Sequence, residues 1–336
     1  MPRRILITGI GSHWGTALAQ RLEADRAVEA IVGVDSRPPR AQLTRTEFHE
    51  ADLRGPELAK IMPGSRADTA VHCGIAWFGD RHRPAGSLHE INVLGTLQLL
   101  AACDRTPTLR SLVVRGSAAI YGAEPAVPAF LTEEMAGRFP LRTRFQRDIG
   151  ELEAMIDTYA RRNSHLTCCV LRYQPEIGPG LQSPVSRYLE LPVIPTQLGF
   201  DPRLQLVHVD DATDALLAAV RHPIPGPVNV APEGMISLTR ITRLAGRPTL
   251  PVPHPLASRA FARLSGQLGV ADRYEDAVRL LRYGRCLDTT RLRTELGFTC
   301  SRDAEAAVRD HVEHRGGRSL VSMPTVGDAL ARVVGS

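Results

Sequence analysis

The opening of the chain places the strongest constraint on what it can fold into. An apolar run, RILITGI (4–10), passes through the glycine-rich turn ITGIGSHWG into GTALAQRLEA (15–24), where Ala17, Leu18 and Leu22 fall at helical spacing. Strand, turn and helix in that order predict a β–α unit. Gly9, Gly11 and Gly15 allow a tight turn, a close backbone approach and helix–strand packing. Ser12, His13 and Trp14 complete the turn, and a helix starting there offers unpaired N–H groups to a pyrophosphate. The next strand pattern, AIVGVD (30–35), ends in Asp35, 20 residues after Gly15, the spacing of a ribose-binding acid. A carboxylate there accepts from a ribose 2′-OH and repels a 2′-phosphate, so NAD is expected. Arg37, beside Ser36, can neutralise a phosphate and leaves NADP open.

The alternation continues. TEFHEADL, TAVHCGI (69–75), LRSLVVRGS (109–117) and LTCCVLRY (166–173) read as further strands. LHEINVLGTLQLLAACD (88–104) and FQRDIGELEAMIDTYARR (145–162) read as long helices, the first with Ile91, Leu94, Leu97, Leu100 and Ala101 on one stripe. Short apolar strands separated by helices predict an α/β fold, a Rossmann-type doubly wound parallel sheet covered on both faces. After Gly178 the pattern loosens into Pro- and Gly-rich sequence with one short helix. LQLVHVDDATDALLAAVRH (204–222) restores a strand and a helix, with Asp210 or Asp211 as the cap, and GPVNVAP adds a strand. The expected organisation is a dinucleotide-binding domain over 1–175, joined again by about 204–232. A smaller, mostly helical substrate domain covers 176–203 and 233–312, and 313–336 is a tail with one weak amphipathic helix.

Composition narrows the class. Six cysteines form no CxxC pair and no His/Cys cluster has metal spacing, so reduced thiols and no metal are expected. The net charge of +5 comes from scattered arginines without an aromatic-interleaved stripe, which argues against nucleic acid. No apolar run approaches the ~18 residues of a membrane span. MPRRILITGIG has no signal-peptide core, and a cytoplasmic protein is expected.

Several segments together resemble the extended short-chain dehydrogenase/reductases of the NAD-dependent epimerase/dehydratase family, and among them the UDP-glucose 4-epimerase-like proteins, to about residue 312. TGIGSHWG stands where that family has TGxxGxxG, and EADLR brings Asp52 and Leu53 to the adenine. AVHCGIA brings Cys73 and Gly74 beside the cofactor, INVLGTLQLL brings Asn92, and SAAIYG brings Ser117. LRYQPEIGPG matches LRxxNxYGP, and HVDDATDAL and DTTRLRTELGF match later segments. The resemblance implies a nucleotide-sugar ligand, with Pro175, Arg187 and Arg203 on the substrate side. It also implies a homodimer in which helices 88–104 and 145–162 pair into a four-helix bundle.

The departures matter as much. Ser12 replaces the middle glycine, and Pro175 replaces an asparagine. The YxxxK pair reads Phe145 and Ile149. In the family the tyrosine exchanges a proton with the substrate hydroxyl while the lysine lowers its pKa and binds the nicotinamide ribose. Losing general acid–base catalysis costs roughly 10²–10⁴ in rate. No shift of register restores the pair, because Lys60 is the only lysine in the chain. On a helix Phe145 and Ile149 form one apolar patch.

Two functions fit these residues. One is a dinucleotide-binding protein whose Tyr/Lys chemistry is lost or weakened, acting as a sensor, scaffold or partner. The other is an active epimerase or dehydratase with a substitute acid/base, either Tyr121 or Asp148, although helix spacing turns Asp148 away from the Phe145 face. Ser117 alone is no base, Arg144 and Arg147 do not titrate, and His208 is expected to be structural.

Overall fold

The structure is a computed structural model that describes residues 3–76, 86–191, 193–253 and 275–314. Seven parallel strands make the central sheet: β1 (Arg3–Thr8), β2 (Val28–Asp35), β3 (Thr46–Glu50), β4 (Thr69–His72), β5 (Ser111–Ser117), β6 (Thr167–Tyr173) and β7 (Gly226–Val230). Their order is β7-β6-β5-β4-β1-β2-β3. The chain winds one way from β1 through β3 and the other way from β4 through β7. Ligands of such sheets bind outside the carboxyl ends of the strands, at this switch between β1 and β4.

Both faces of the sheet are covered, which explains the unbroken apolar runs. In β1, Leu6 joins one core with Leu112, Leu152 and Val170, while Ile5 and Ile7 join the other with Leu18, Val71 and Leu216. The helices doing the covering include α1 (His13–Glu23), α2 (Leu58–Ser65), α4 (Gly95–Asp104), which follows the short α3 (Gly86–His89), α5 (Arg144–Arg162) and α7 (Val209–Arg221), while α6 (Pro184–Leu189) packs elsewhere. A third cluster, with Ile177, Leu189, Leu204, Leu280 and Ala307, holds the later part of the chain together.

Several expectations need correction. The helix expected over 88–104 is interrupted by a π turn, Glu90–Leu94, between α3 and α4. The extra residue in that turn rotates the stripe: Ile91 and Leu100 are buried, but Leu94 and Leu97 are 46% and 50% exposed and Ala101 is exposed. The cap of α7 is His208, whose Nδ1 accepts from the Asp210 amide at 3.1 Å, and Asp210 and Asp211 sit in its first turn. The later region is not only helical, because Thr249–Val252 pairs in parallel with Ile194–Gln197. The GPVNV strand is an edge of the main sheet, beside β6. The tail helix lies outside the described residues. Among those residues, no helix is long and apolar enough to cross a membrane.

Candidate functional site

A cleft of about 520 Å³ runs along the carboxyl ends of the strands. The turn between β1 and α1 forms its floor. Gly9 takes φ +76, and a Cβ there would lie 2.4 Å from the Gly74 nitrogen. A Cβ on Gly15 would lie 2.3 Å from the Gly9 carbonyl oxygen, so glycine is what lets α1 pack onto the turn. Ser12 needs no such freedom. At φ −72 and ψ 163 it is an ordinary N-cap, and its Oγ accepts from the Gly15 amide at 3.0 Å. The glycine-to-serine departure therefore caps the helix and keeps its start intact. Among the described residues the His13 and Trp14 amides have no acceptor in the chain, and both residues line the cleft.

Asp35 closes this half. Its Oδ2 accepts from the Gly11 amide at 3.0 Å and its Oδ1 from the Arg37 amide at 3.2 Å. Gly11 lies behind this contact, since a Cβ on it would meet the Arg37 carbonyl oxygen at 2.5 Å. Ser36, Arg37, Asp52, Leu53, Cys73 and Gly74 line the same half. Burial, then the charges of Arg40 and Arg115, hold the His13 imidazole below its ordinary pKa, and burial pushes the Cys73 thiol up to about 12. Asn92 stands behind the wall. Its Oδ1 accepts from the Ala76 amide at 2.7 Å and its Nδ2 donates to the Ala76 carbonyl at 3.1 Å, which fixes the strand end after β4. His72, buried between Thr8 Oγ1 at 2.8 Å and Thr96 Oγ1 at 3.3 Å, is pushed by burial down to about 4 and stays neutral.

The other half is lined by Ser117, Phe145, Tyr173, Pro175, Glu176 and Arg187, with Asp276 and Arg285 beyond. Ser117 ends β5, and its Oγ accepts from the Ala119 amide at 3.1 Å. Phe145 stands in the first turn of α5, which a Thr143/Gln146 capping box fixes in place. Gln146 also donates to Asp276 at 2.6 Å, tying α5 to the helix Glu275–Tyr283. Glu176 is 3% exposed and forms an ion pair with Arg115 of β5, which is as deeply buried. The Arg115 guanidinium lies 4.1 Å from the Trp14 ring centre and 5.1 Å from that of Tyr173. Burial raises the Glu176 carboxyl, and Arg115 opposes that shift.

A sequence model of the NAD dependent epimerase/dehydratase family matches residues 5–231. This chain belongs to that family. An uncharacterized protein of Mycobacterium tuberculosis is 32% identical over 338 residues, covering 99% of this chain and 90% of the relative. Among solved structures, a UDP-glucose 4-epimerase of Thermotoga maritima with UDP-glucose superposes with a TM-score of 0.70 at 20% identity, covering 93% of this chain and 98% of that one. A dTDP-glucose 4,6-dehydratase of Bacillus anthracis in complex with NAD gives 0.69 at 14% identity, covering 94% and 97%. At these identities the superpositions establish the fold.

Against the pattern that the resemblance implies, the two changed positions on α5 differ from each other. Phe145 is half-buried on the cleft wall. Ile149, one turn on, is 0% exposed inside the core and is not among the residues lining the cleft. The expected shared patch is thus one wall residue and one core residue. Tyr121 is corrected as a substitute acid/base: it is buried away from the cleft lining, donating to Asn229 Oδ1 and accepting from Arg172, both at 2.7 Å. Burial raises its phenol to about 12. Asp148 is bonded to His89 Nδ1 at 2.8 Å and, like Arg144 and Arg147, does not line the cleft. Arg203 lies elsewhere, with Nη1 on the Met235 sulfur at 3.6 Å. His208 is bonded to Asp310 at 2.8 Å.

The cleft also holds residues that the motifs did not single out: Arg40, Glu176, Asp276 and Arg285. For Glu176 a signal existed. VVRGS and QPEIG each carry one charge inside an otherwise buried pattern, and buried charges pair.

Proposed function

We propose that this protein binds NAD in the Asp35 half of the cleft and a nucleotide-sugar-like ligand in the half lined by Ser117, Pro175 and Arg187, without the Tyr/Lys proton transfer of its family. The single observation carrying the reading is one continuous cleft. At one end lie the free His13 and Trp14 amides and the pre-positioned Asp35 carboxylate, and at the other a wall where Phe145 replaces the tyrosine. The α1 N-terminus receives the pyrophosphate, Asp35 receives the adenosine ribose, and Asp52 with Leu53 flanks the adenine. Bound NAD would supply a hydride acceptor. The neighbours solved with NAD or UDP-glucose share this fold and agree with the assignment.

Phe145 has no proton to exchange and Ile149 lies in the core, so chemistry by the family's pair is lost or reduced by roughly 10²–10⁴. The assembly in this reading is a homodimer through α4, the π turn before it and α5, supported by the exposed Leu94 and Leu97. The test is to identify by mass spectrometry any dinucleotide released on denaturation, and to titrate stripped protein with NAD⁺ and NADP⁺ by calorimetry. Tight NAD⁺ and weak NADP⁺ binding is expected; binding of neither would overturn the reading.

A further inference from the structure

Glu176 and Arg115 are charged side chains that the family motifs leave without a task. Glu176 comes from a two-residue strand, Glu176–Ile177, held in parallel pairing by Val207–His208, so its position is set by backbone. Arg115 comes from β5, two residues before Ser117. The pair is buried, and Glu176 lines the same cleft as Ser117, Tyr173 and Phe145. A buried ion pair is a weak way to gain stability, since a well-packed apolar pair of similar volume does as well or better. This one is held between Trp14 of the cofactor turn and Tyr173 at the end of β6. It therefore places a carboxylate, backed by a fixed cation, between Trp14 and Tyr173 of the cleft lining.

We infer that Glu176 is the proton-exchanging group of this site, with Arg115 as the positioning residue that holds its carboxylate by an ion pair, the two standing in for the missing tyrosine and lysine. The inference rests on NAD occupying the cleft as proposed above. In the step, a secondary hydroxyl of the sugar loses its O–H proton to the Glu176 carboxylate as its C–H hydride passes to an oxidised nicotinamide, leaving a ketone, and the reverse transfers return both. Ser117 lines the same cleft, available to the substrate hydroxyl. Burial raises the Glu176 carboxyl, which brings a carboxylate's proton affinity closer to the working range of a base near neutral pH.

The test uses full-length protein whose NAD⁺ binding has first been measured by calorimetry. UDP-glucose and dTDP-glucose are titrated against UDP and dTDP as sugar-free controls. The variants are Glu176→Gln, and the double variant Arg115→Met/Glu176→Met, which leaves no stranded charge. The expected result has three parts. NAD⁺ and the sugar-free diphosphate bind all proteins alike. One hexose nucleotide gains affinity over its diphosphate in the wild type, and both variants lose roughly 10–100-fold of that gain, the value of a hydrogen bond to a charged group. Reduced nicotinamide formed from that sugar by the wild type falls by roughly 10²–10⁴ in the variants.

The inference is overturned if NAD⁺ binds but neither hexose gains over its diphosphate, or if the gain and the rate survive in the double variant. Failure of NAD⁺ to bind at the first titration would instead remove the reading on which it rests.

Discussion

Restoring the family's lysine to α5 should destabilise the protein. Ile149 is 0% exposed in the core that contains Leu152, Ile156 and Val114. An Ile149→Lys ammonium would be buried there without a free partner. Glu153, one turn on, already accepts from Arg172 at 2.7 and 3.0 Å. Burial lowers a lysine's pKa by up to 3–5 units from about 10.4. A lowering of about 3 units corresponds to about 4 kcal/mol, against a total stability on the order of 5–15 kcal/mol.

The sign of the pH effect follows. Below the lowered folded pKa the whole cost is present. Between that value and about 10.4 the unfolded chain binds one proton more than the folded one, so the variant's deficit shrinks as pH rises. Urea unfolding of wild type, Ile149→Lys and Phe145→Tyr at neutral pH and at about pH 10 measures this. The lysine variant should be weak at neutral pH and recover toward wild type at the higher one. Phe145→Tyr, on the cleft wall, should stay within about 0.5 kcal/mol. A lysine variant as stable as wild type at both pH values would mean that position 149 reaches water or the cleft, and the burial reasoning would be wrong.

Asp35→Ala should weaken NAD⁺ binding by roughly 10–100-fold and narrow the gap to NADP⁺, both read by calorimetry. Tyr121→Phe removes bonds to Asn229 and Arg172, and should cost about 1–3 kcal/mol in urea unfolding while NAD⁺ binding is unchanged. Leu97→Glu should convert a dimer to a monomer in light scattering after size exclusion, and an unchanged mass would remove α4 from the interface. Asn92→Ala frees the Ala76 backbone, and should weaken NAD⁺ binding several-fold without moving the NAD⁺/NADP⁺ preference.

Most of the sheet was legible because most of its strands read as apolar runs separated by helical patterns. Asp35 was legible because its distance from Gly15 is fixed by one helix and one strand. What escaped the sequence depends on how helices are rotated. The π turn over Glu90–Leu94 leaves Leu94 and Leu97 at the surface, and no periodicity at 3.6 residues encodes it. Phe145 and Ile149 share a helix face, yet wall and core divide that face at one turn. Tyr121 looks available in AAIYG because its partners, Asn229 and Arg172, are 108 and 51 residues away. Arg203 was carried by resemblance, and its side chain leaves the cleft.

The carboxylate of Asp35 is held at both oxygens before any ligand arrives, by the amides of Gly11 and Arg37. Freezing a side chain on binding costs about 0.5–1.5 kcal/mol, and here that ordering is completed during folding. Recognition of the ribose should then resemble a rigid encounter, with little search by the acid itself. Variants that loosen the turn, such as Gly11→Ala, should show their effect in slower capture of the dinucleotide as well as in faster escape.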